Sequence, residues 1–281
     1  MRGLILNADD FGASPRVNEA VARAFGEGVL TSASLMVSEE ASGSAVCLAR
    51  QHPGLAVGLH LVLSCGSAAL PREQIPHLVG RDGRFFPSPA VAGLRVFYHP
   101  EARREAAKEI ATQFERFADT GVPFDHVNGH QHLHLHPVIW RLVMRQCRRF
   151  GVGAVRIPFE ELRLFTPGRM VGRVAEWAAF RALRAWCLRQ ARENNLVTAV
   201  RVYGHLETGR VTEHYLLYLL DRLPAGVSEV YLHPGAGDDG DGELEALLSA
   251  SVRRRMQERG VAPFTYSRLA AFIADGKMPA A

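Results

Sequence analysis

The sequence predicts an α/β fold, a distorted (β/α) barrel of about seven parallel strands. Short, β-branched apolar runs alternate with helical patterns along most of the 281 residues, the order produced by parallel strands joined through crossover helices. No Gly-x-Gly-x-x-Gly follows the first strand, which favours a barrel over an open dinucleotide-binding sheet. The residues able to do chemistry fall at the predicted strand ends, where active sites of parallel barrels form. A single domain over 1–281 is expected, with 47% hydrophobic and 22% charged residues and no repeat to divide it.

The first strand, 4–7, is apolar and runs into Asp9, Asp10 and a turn at Gly12. Ser14 and Pro15 then supply an N-cap and a first-turn proline for a helix over 15–26, which Gly26 or Gly28 ends. A strand at 32–37 and a helix at 42–51 follow, then a strand at 56–63 that carries His60. Prolines, glycines and short polar stretches break the alternation over 64–99, a length that indicates a functional loop or lid insertion. A helix at 100–120, a strand at 126–128, a helix at 137–150 and a strand at 154–157 holding Arg156 restore it. The helix at 172–194 carries Val174, Trp177, Phe180, Leu183, Trp186 and Leu188, an aromatic face suited to the core, a dimer partner or a lipid-like substrate. A strand at 197–202, a helix at 212–222, a strand at 229–232 ending before His233, a Gly/Asp loop at 235–242 and a helix at 244–258 complete the pattern.

Composition narrows the class of protein. No stretch approaches the roughly 20 apolar residues of a membrane-spanning helix, and the N-terminal apolar run is shorter than a signal-peptide core, so a cytoplasmic protein is expected. Cys47, Cys65, Cys147 and Cys187 form no Cys-x-x-Cys pair and read as reduced thiols. The net charge of +4 comes mainly from arginines at 141–149, 169–192 and 253–255. On helices such runs are solvated faces, and no interleaved aromatics mark a nucleic-acid platform.

Five of the 12 histidines lie within eleven residues: His126, His130, His132, His134 and His136. So dense a set of imidazoles points to a metal, although not all can be ligands, and His126 or His136 reads as a surface or supporting group. One carboxylate with two neutral imidazoles leaves a divalent ion open to water and substrate. Adjacent aspartates on an extended strand point in different directions, so one can bind the ion while the other acts as general base. A histidine from the opposite rim can then protonate a leaving amine. These parts fit amide or ester hydrolysis.

Five segments together resemble the YdjC/ChbG-like carbohydrate deacetylases: Asn7-Ala8-Asp9-Asp10-Phe11-Gly12, Leu30-Thr31-Ser32-Ala33-Ser34-Leu35-Met36-Val37, Val57-Gly58-Leu59-His60-Leu61, Asp125-His126-Val127-Asn128-Gly129-His130-Gln131-His132-Leu133-His134 and Glu229-Val230-Tyr231-Leu232-His233-Pro234-Gly235. The resemblance implies metal-dependent deacetylation of N-acetylated sugars on a (β/α) barrel. It implies Asp10, His60 and His130 as metal ligands, Asp9 as base and His233 as acid; Arg156 is similar in placement to an arginine that orients the base in related polysaccharide deacetylases. His134 is an alternative to His130 as second imidazole ligand. The ion is divalent: zinc, magnesium, manganese or cobalt.

The wording of 30–37, of His60-Leu61-Val62-Leu63 and of 127–137 is most similar to the hopanoid-biosynthesis-associated members. That implies an N-acetylglucosaminyl hopanoid lipid as substrate, peripheral contact with the inner membrane, and leaves a homodimer open; no nucleic-acid partner is expected. Two other classes stay open: a metal-dependent phosphoester hydrolase, which uses the same ligand types around two ions, and a non-catalytic sugar- or lipid-binding module.

Overall fold

The computed structural model of the chain describes residues 1–160, 174–237 and 240–277. Its centre is a parallel sheet ordered β4-β3-β2-β1-β6-β5, built from β1 (Arg2–Phe11), β2 (Ser32–Leu35), β3 (Ala56–Leu61), β4 (Val127–Gly129), β5 (Arg201–Tyr203) and β6 (Gly226–Leu232). A seventh strand, β7 (Val261–Pro263), pairs with Arg2–Leu4 of β1, while β2 begins its pairing with β1 at Asn7. The predicted strand at 154–157 survives as isolated parallel bridges, Val127 to Val155 and Ala154 to Val197. Those bridges join β4 to the segment leading into β5, so the sheet curls into a distorted barrel. Pro158 has no N–H to extend that ladder, and Phe159 instead pairs antiparallel with Val202.

The first strand is longer than its apolar core predicts, because both aspartates lie within it. Helices α1 (Pro15–Gly26), α2 (Ser42–Gln51), α4 (Pro100–Asp119), α5 (Pro137–Phe150) and α7 (Glu213–Leu220) stand where the sequence places them, and a further helix, α3 (Pro89–Tyr98), rises inside the 64–99 insertion. In α1, the Ser14 side chain caps Val17 N–H and proline opens the helix. The predicted helix at 244–258 is two, α8 (Gly240–Leu248) and α9 (Ala250–Glu258). Ser249 separates them with extended backbone, its hydroxyl accepting from Ser251 and Val252 N–H. A last helix, α10 (Tyr266–Ala274), was not foreseen. Helix α6 spans Val174–Glu193. The side chains of Val174, Trp177 and Phe180, and residues 172–173, lie outside the described residues. Trp186 and Leu188 pack against the core, with Trp186 6.2 Å from Trp140.

The insertion is fastened to α4 by one stripe of the helix. Glu109 accepts the Ala69 and Leu70 N–H groups (2.7 and 2.9 Å), Glu105 accepts that of His77 (2.9 Å), and Gln113 holds Val62 through both its N–H and C=O. These buried groups satisfy backbone that a core-facing loop would otherwise leave unpaired.

Strand alternation sorts the core. On β1, Leu4, Leu6 and Ala8 join the larger apolar cluster with Phe114 and Trp140. The other face brings Ile5, Asn7 and Asp9 to the barrel interior, where Ser34, His60, Asn128 and Glu229 also lie, all buried. The interior is therefore polar toward the strand C-terminal ends, and its polar groups must find partners there.

Candidate metal centre and its surroundings

Asp10 interrupts β1. Its φ is +62° and the pairing with β2 shifts register between Ala8 and Phe11, a bulge that re-aims a side chain at a cost in strain. The two aspartates reach opposite edges of one imidazole. Asp10 Oδ1 lies 3.2 Å from His60 Nε2, and Asp9 Oδ1 lies 4.0 Å from Nδ1 of the same ring.

His130, the first residue after β4, closes the set. Its Nδ1 is 3.0 Å from Asp10 Oδ1 and 3.4 Å from His60 Nε2. Donor atoms about 2.1 Å from one ion, at angles of about 90–110°, lie about 3.0–3.4 Å apart, so the spacing of Asp10, His60 and His130 fits a divalent cation. The tautomer fits as well. Asn128 Nδ2 donates to Ser34 Oγ (2.8 Å) and Asp9 Oδ1 (3.2 Å), which turns Asn128 Oδ1 to accept from His60 Nδ1–H at 2.7 Å. The Nε2 lone pair is thereby left for the ion. Burial raises the Asp10 carboxyl, but the hydrogen bonds and charges of His130 and His60 outweigh it and hold the group well below the usual range. Burial lowers His130, and Asp10 more than restores it.

Asp9 is held by a different set of groups. Arg156, fully buried, donates Nη1–H to Oδ2 (2.6 Å) and Nη2–H to Oδ1 (2.9 Å), and Asn7 Nδ2 donates to Oδ1 (2.8 Å). The guanidinium is fixed in turn by Glu229 Oε1, which accepts from Nε and Nη2, and by the Tyr231 ring 4.6 Å away. Burial pushes the Asp9 carboxyl up, while Arg156, His60 and His233 pull it further down, so it is ionised at any physiological pH.

The remaining histidines have other partners. Ser34 Oγ accepts from Asn7 and Asn128, so its own proton goes to His126 Nε2 (3.0 Å), and His126 Nδ1–H donates to Asp125 (3.0 Å). Asp125 caps α10 through Tyr266 and Ser267 N–H. Gly58 is required beside this ring, since a Cβ there would stand 2.5 Å from it. His132 Nε2 is 2.9 Å from Tyr231 Oη, His136 precedes α5 as its N-terminal cap residue, and His134 Nε2–H donates to the Arg156 carbonyl (2.9 Å). That bond explains why His134 is not a member of the convergent triad; burial depresses its pKa to about 3.

The triad opens on a cavity of about 390 Å³ lined by Asp9, His60, His130, His132, Tyr231 and His233, with His205, Thr208 and Pro89 at its walls, within the range of small-ligand sites. All six residues singled out from the sequence are thus in or beside one site. Sequence reasoning missed the groups that orient them: Asn7, Ser34, Asn128, Glu229 and Tyr231. A polar residue at every second position of an apolar strand was their signal.

A model of the YdjC-like protein family matches residues 3–258. A carbohydrate deacetylase of Geobacillus stearothermophilus is 31% identical over 94% of this chain and 97% of its own length. A chitooligosaccharide deacetylase of Salmonella schwarzengrund is also 31% identical, over 94% and 98%. Among solved structures, a protein of Enterococcus faecalis V583 named for cellobiose-phosphate cleavage superposes with a TM-score of 0.71 at 24% identity, covering 95% of this chain and 98% of that one.

Proposed function

The chain belongs to the YdjC-like protein family, and from that premise we propose that it hydrolyses the acetamide of an N-acetylated sugar, releasing acetate and a free amine, with a divalent metal held by Asp10, His60 and His130. One observation carries the reading: three donor atoms 3.0–3.4 Å apart sit beside a guanidinium-clamped carboxylate, in a cavity that His233 also lines. Among the described residues no second cluster of three such ligands exists, which favours one ion over the paired ions of many phosphoesterases.

A bound divalent ion supplies the charge that polarises the acetyl carbonyl and acidifies water. The residues do the rest. Asp9, ionised and held by Arg156, Asn7 and Asn128, takes a proton from the attacking water as its oxygen bonds to the acetyl carbon. His233 gives a proton to the sugar nitrogen as the C–N bond breaks. Arg156 keeps the Asp9 carboxylate in one orientation through both proton transfers.

Within this class we place an N-acetylglucosaminyl hopanoid lipid as the substrate to test first. The wording of 30–37 and 127–137 supports it, as does α3, which starts at Pro89 on the cavity wall and exposes Val91, Leu94 (58% exposed), Phe97 and Tyr98 (75% exposed). Such a face next to a cavity suits an apolar aglycone and peripheral membrane contact. Among the described residues no helix is long and apolar enough to cross a membrane.

The test is acetate release from the glycolipid and from a soluble N-acetylglucosamine disaccharide. Release from the disaccharide alone removes the lipid and keeps the deacetylase. Asp9→Asn is expected to abolish release with metal content intact; turnover at the parental rate would show that Asp9 is not the base.

A further inference from the structure

The proton-donating side of the cavity contains a carboxylate with no part in the chemistry above. His233 follows the last residue of β6, and the chain then turns at Gly235, where φ is +77° and a Cβ would stand 2.9 Å from the Arg16 carbonyl. The turn is thus packed tightly on α1. Behind it lies Glu243 of α8, 1% exposed. Its Oε2 accepts the His233 backbone N–H (2.5 Å), and its Oε1 accepts that of Val211 (3.0 Å). The same Oε2 is 3.8 Å from His233 Nδ1.

We propose that Glu243 is a positioning residue for His233, fixing the imidazole with Nδ1 toward the buried carboxylate and Nε2 toward the cavity, and balancing the charge of the proton it delivers. This rests on the reading of His233 as the acid. Two facts support it. Among the described residues Glu243 is the one carboxylate within ion-pair distance of His233. Burial raises the Glu243 carboxyl, and the His233 charge is the largest influence drawing it back down, so the two groups are coupled electrostatically as well as sterically. A carboxylate buried against two neutral N–H groups alone is costly, and the protonated His233 that is ready to donate offsets that cost.

Glu243 also ties three chain segments together, so its test needs a readout that a scaffold role would not move. The acetamide of an N-acetylglucosamine disaccharide has an amine leaving group that needs a proton; 4-nitrophenyl acetate has one that does not. Full-length, metal-loaded parental protein, His233→Ala, Glu243→Gln and Glu243→Asp are compared on both. The amide-to-ester ratio of kcat is expected to fall at least tenfold in His233→Ala and about 10- to 100-fold in Glu243→Gln, the range for partners that orient functional groups. KM for the disaccharide should stay within about threefold, with Glu243→Asp intermediate in ratio. An equal fall on both substrates in Glu243→Gln, or an unchanged ratio, overturns the positioning role while leaving His233 as the acid. A parental ratio in His233→Ala overturns the assignment of the acid and this inference with it. Should Glu243→Gln not fold, the shorter Glu243→Asp decides by the same ratio.

Discussion

Replacing Arg156 with methionine removes the guanidinium that joins two buried carboxylates, Asp9 and Glu229. The guanidinium is fully buried and makes two hydrogen bonds to Asp9 (2.6 and 2.9 Å) and two to Glu229 (2.9 and 2.6 Å). Removing one partner of a buried ion pair costs about 3–5 kcal/mol, because the other charge is left uncompensated. Here one removal strands two carboxylates, but each keeps neutral donors: Asn7 and Asn128 for Asp9, and Tyr266 Oη at 2.5 Å for Glu229. The expected loss is therefore about 4 kcal/mol, a large share of the roughly 5–15 kcal/mol of a whole domain. Glu229→Gln alone should cost about 2 kcal/mol, since Arg156 retains Asp9. If the network is one unit, the double variant costs about 2 kcal/mol less than the sum of the singles. The assay is urea unfolding at pH 7 with chelator present, so that metal binding does not add to apparent stability. A loss below about 1 kcal/mol for Arg156→Met, or strict additivity in the double variant, would refute the argument. Arg156→Lys keeps the charge without the planar fork and is expected to lie between parent and methionine.

Three further outcomes follow from the same geometry. After loading with zinc as the probe ion, His130→Ala should lose it on dialysis, measured by elemental analysis, while His134→Gln keeps it because the His134 ring is committed to the Arg156 carbonyl; the reverse pattern would exchange the two assignments. His134 is buried neutral with a pKa near 3 against an ordinary 6.5, so the unfolded chain binds the extra proton and stability falls as pH drops below about 6.5. At pH 5 this amounts to ~2 kcal/mol, and His134→Gln should show a correspondingly shallower loss between pH 7 and 5; an unchanged slope rejects the argument. Cys147 and Cys187 are buried with thiol pKa values pushed up to about 12, so at pH 8 only Cys47 and Cys65 should react quickly with a thiol reagent until the protein is unfolded; four fast thiols in the native state would contradict that burial.

The barrel was legible because its outer strand faces are apolar and its helices amphipathic. What stayed hidden has local causes. Helix α3 is apolar on its exposed side as well as its buried one, and Gly93 and its flanking prolines imitate a loop. The strand β7 is three residues long and ends in a proline. The Ala154 to Ile157 run has the composition of a strand, but Pro158 limits its ladder to bridges. Asp10, His60 and His130, which the resemblance singled out, converge because each lies at or just beyond the C-terminal end of a strand. Their supports could not be read singly, because Asn7, Ser34, Asn128 and Glu229 are ordinary residues whose meaning depends on strands far apart in sequence. Taken together they show a period of two: Asn7 and Asp9, Ser32 and Ser34, His126 and Asn128, Glu229 and Tyr231. A parallel strand buried on both faces should be apolar at every position, so a polar residue repeated at alternate positions on several strands marks a barrel whose interior is a site.

The histidine run illustrates the opposite error, a pattern that looks more regular than its structure. Extended, His130, His132, His134 and His136 would share one face and invite a single metal. The chain instead forms a tight turn over His130–Leu135 in which Gln131 and His132 take left-handed backbone, φ +52° and +56°. Each ring is then sent to a separate partner: His130 to Asp10, His132 to Tyr231 and His134 to the Arg156 carbonyl. Two residues in a conformation that costs of order 1–3 kcal/mol each persist only where the surroundings over-determine them. Here the surroundings are the Asp10, His60 and His130 triad on one side and the Arg156 clamp on the other. The turn therefore couples the position of His130 in the candidate triad to that of Arg156, which holds Asp9, through a short stretch of backbone.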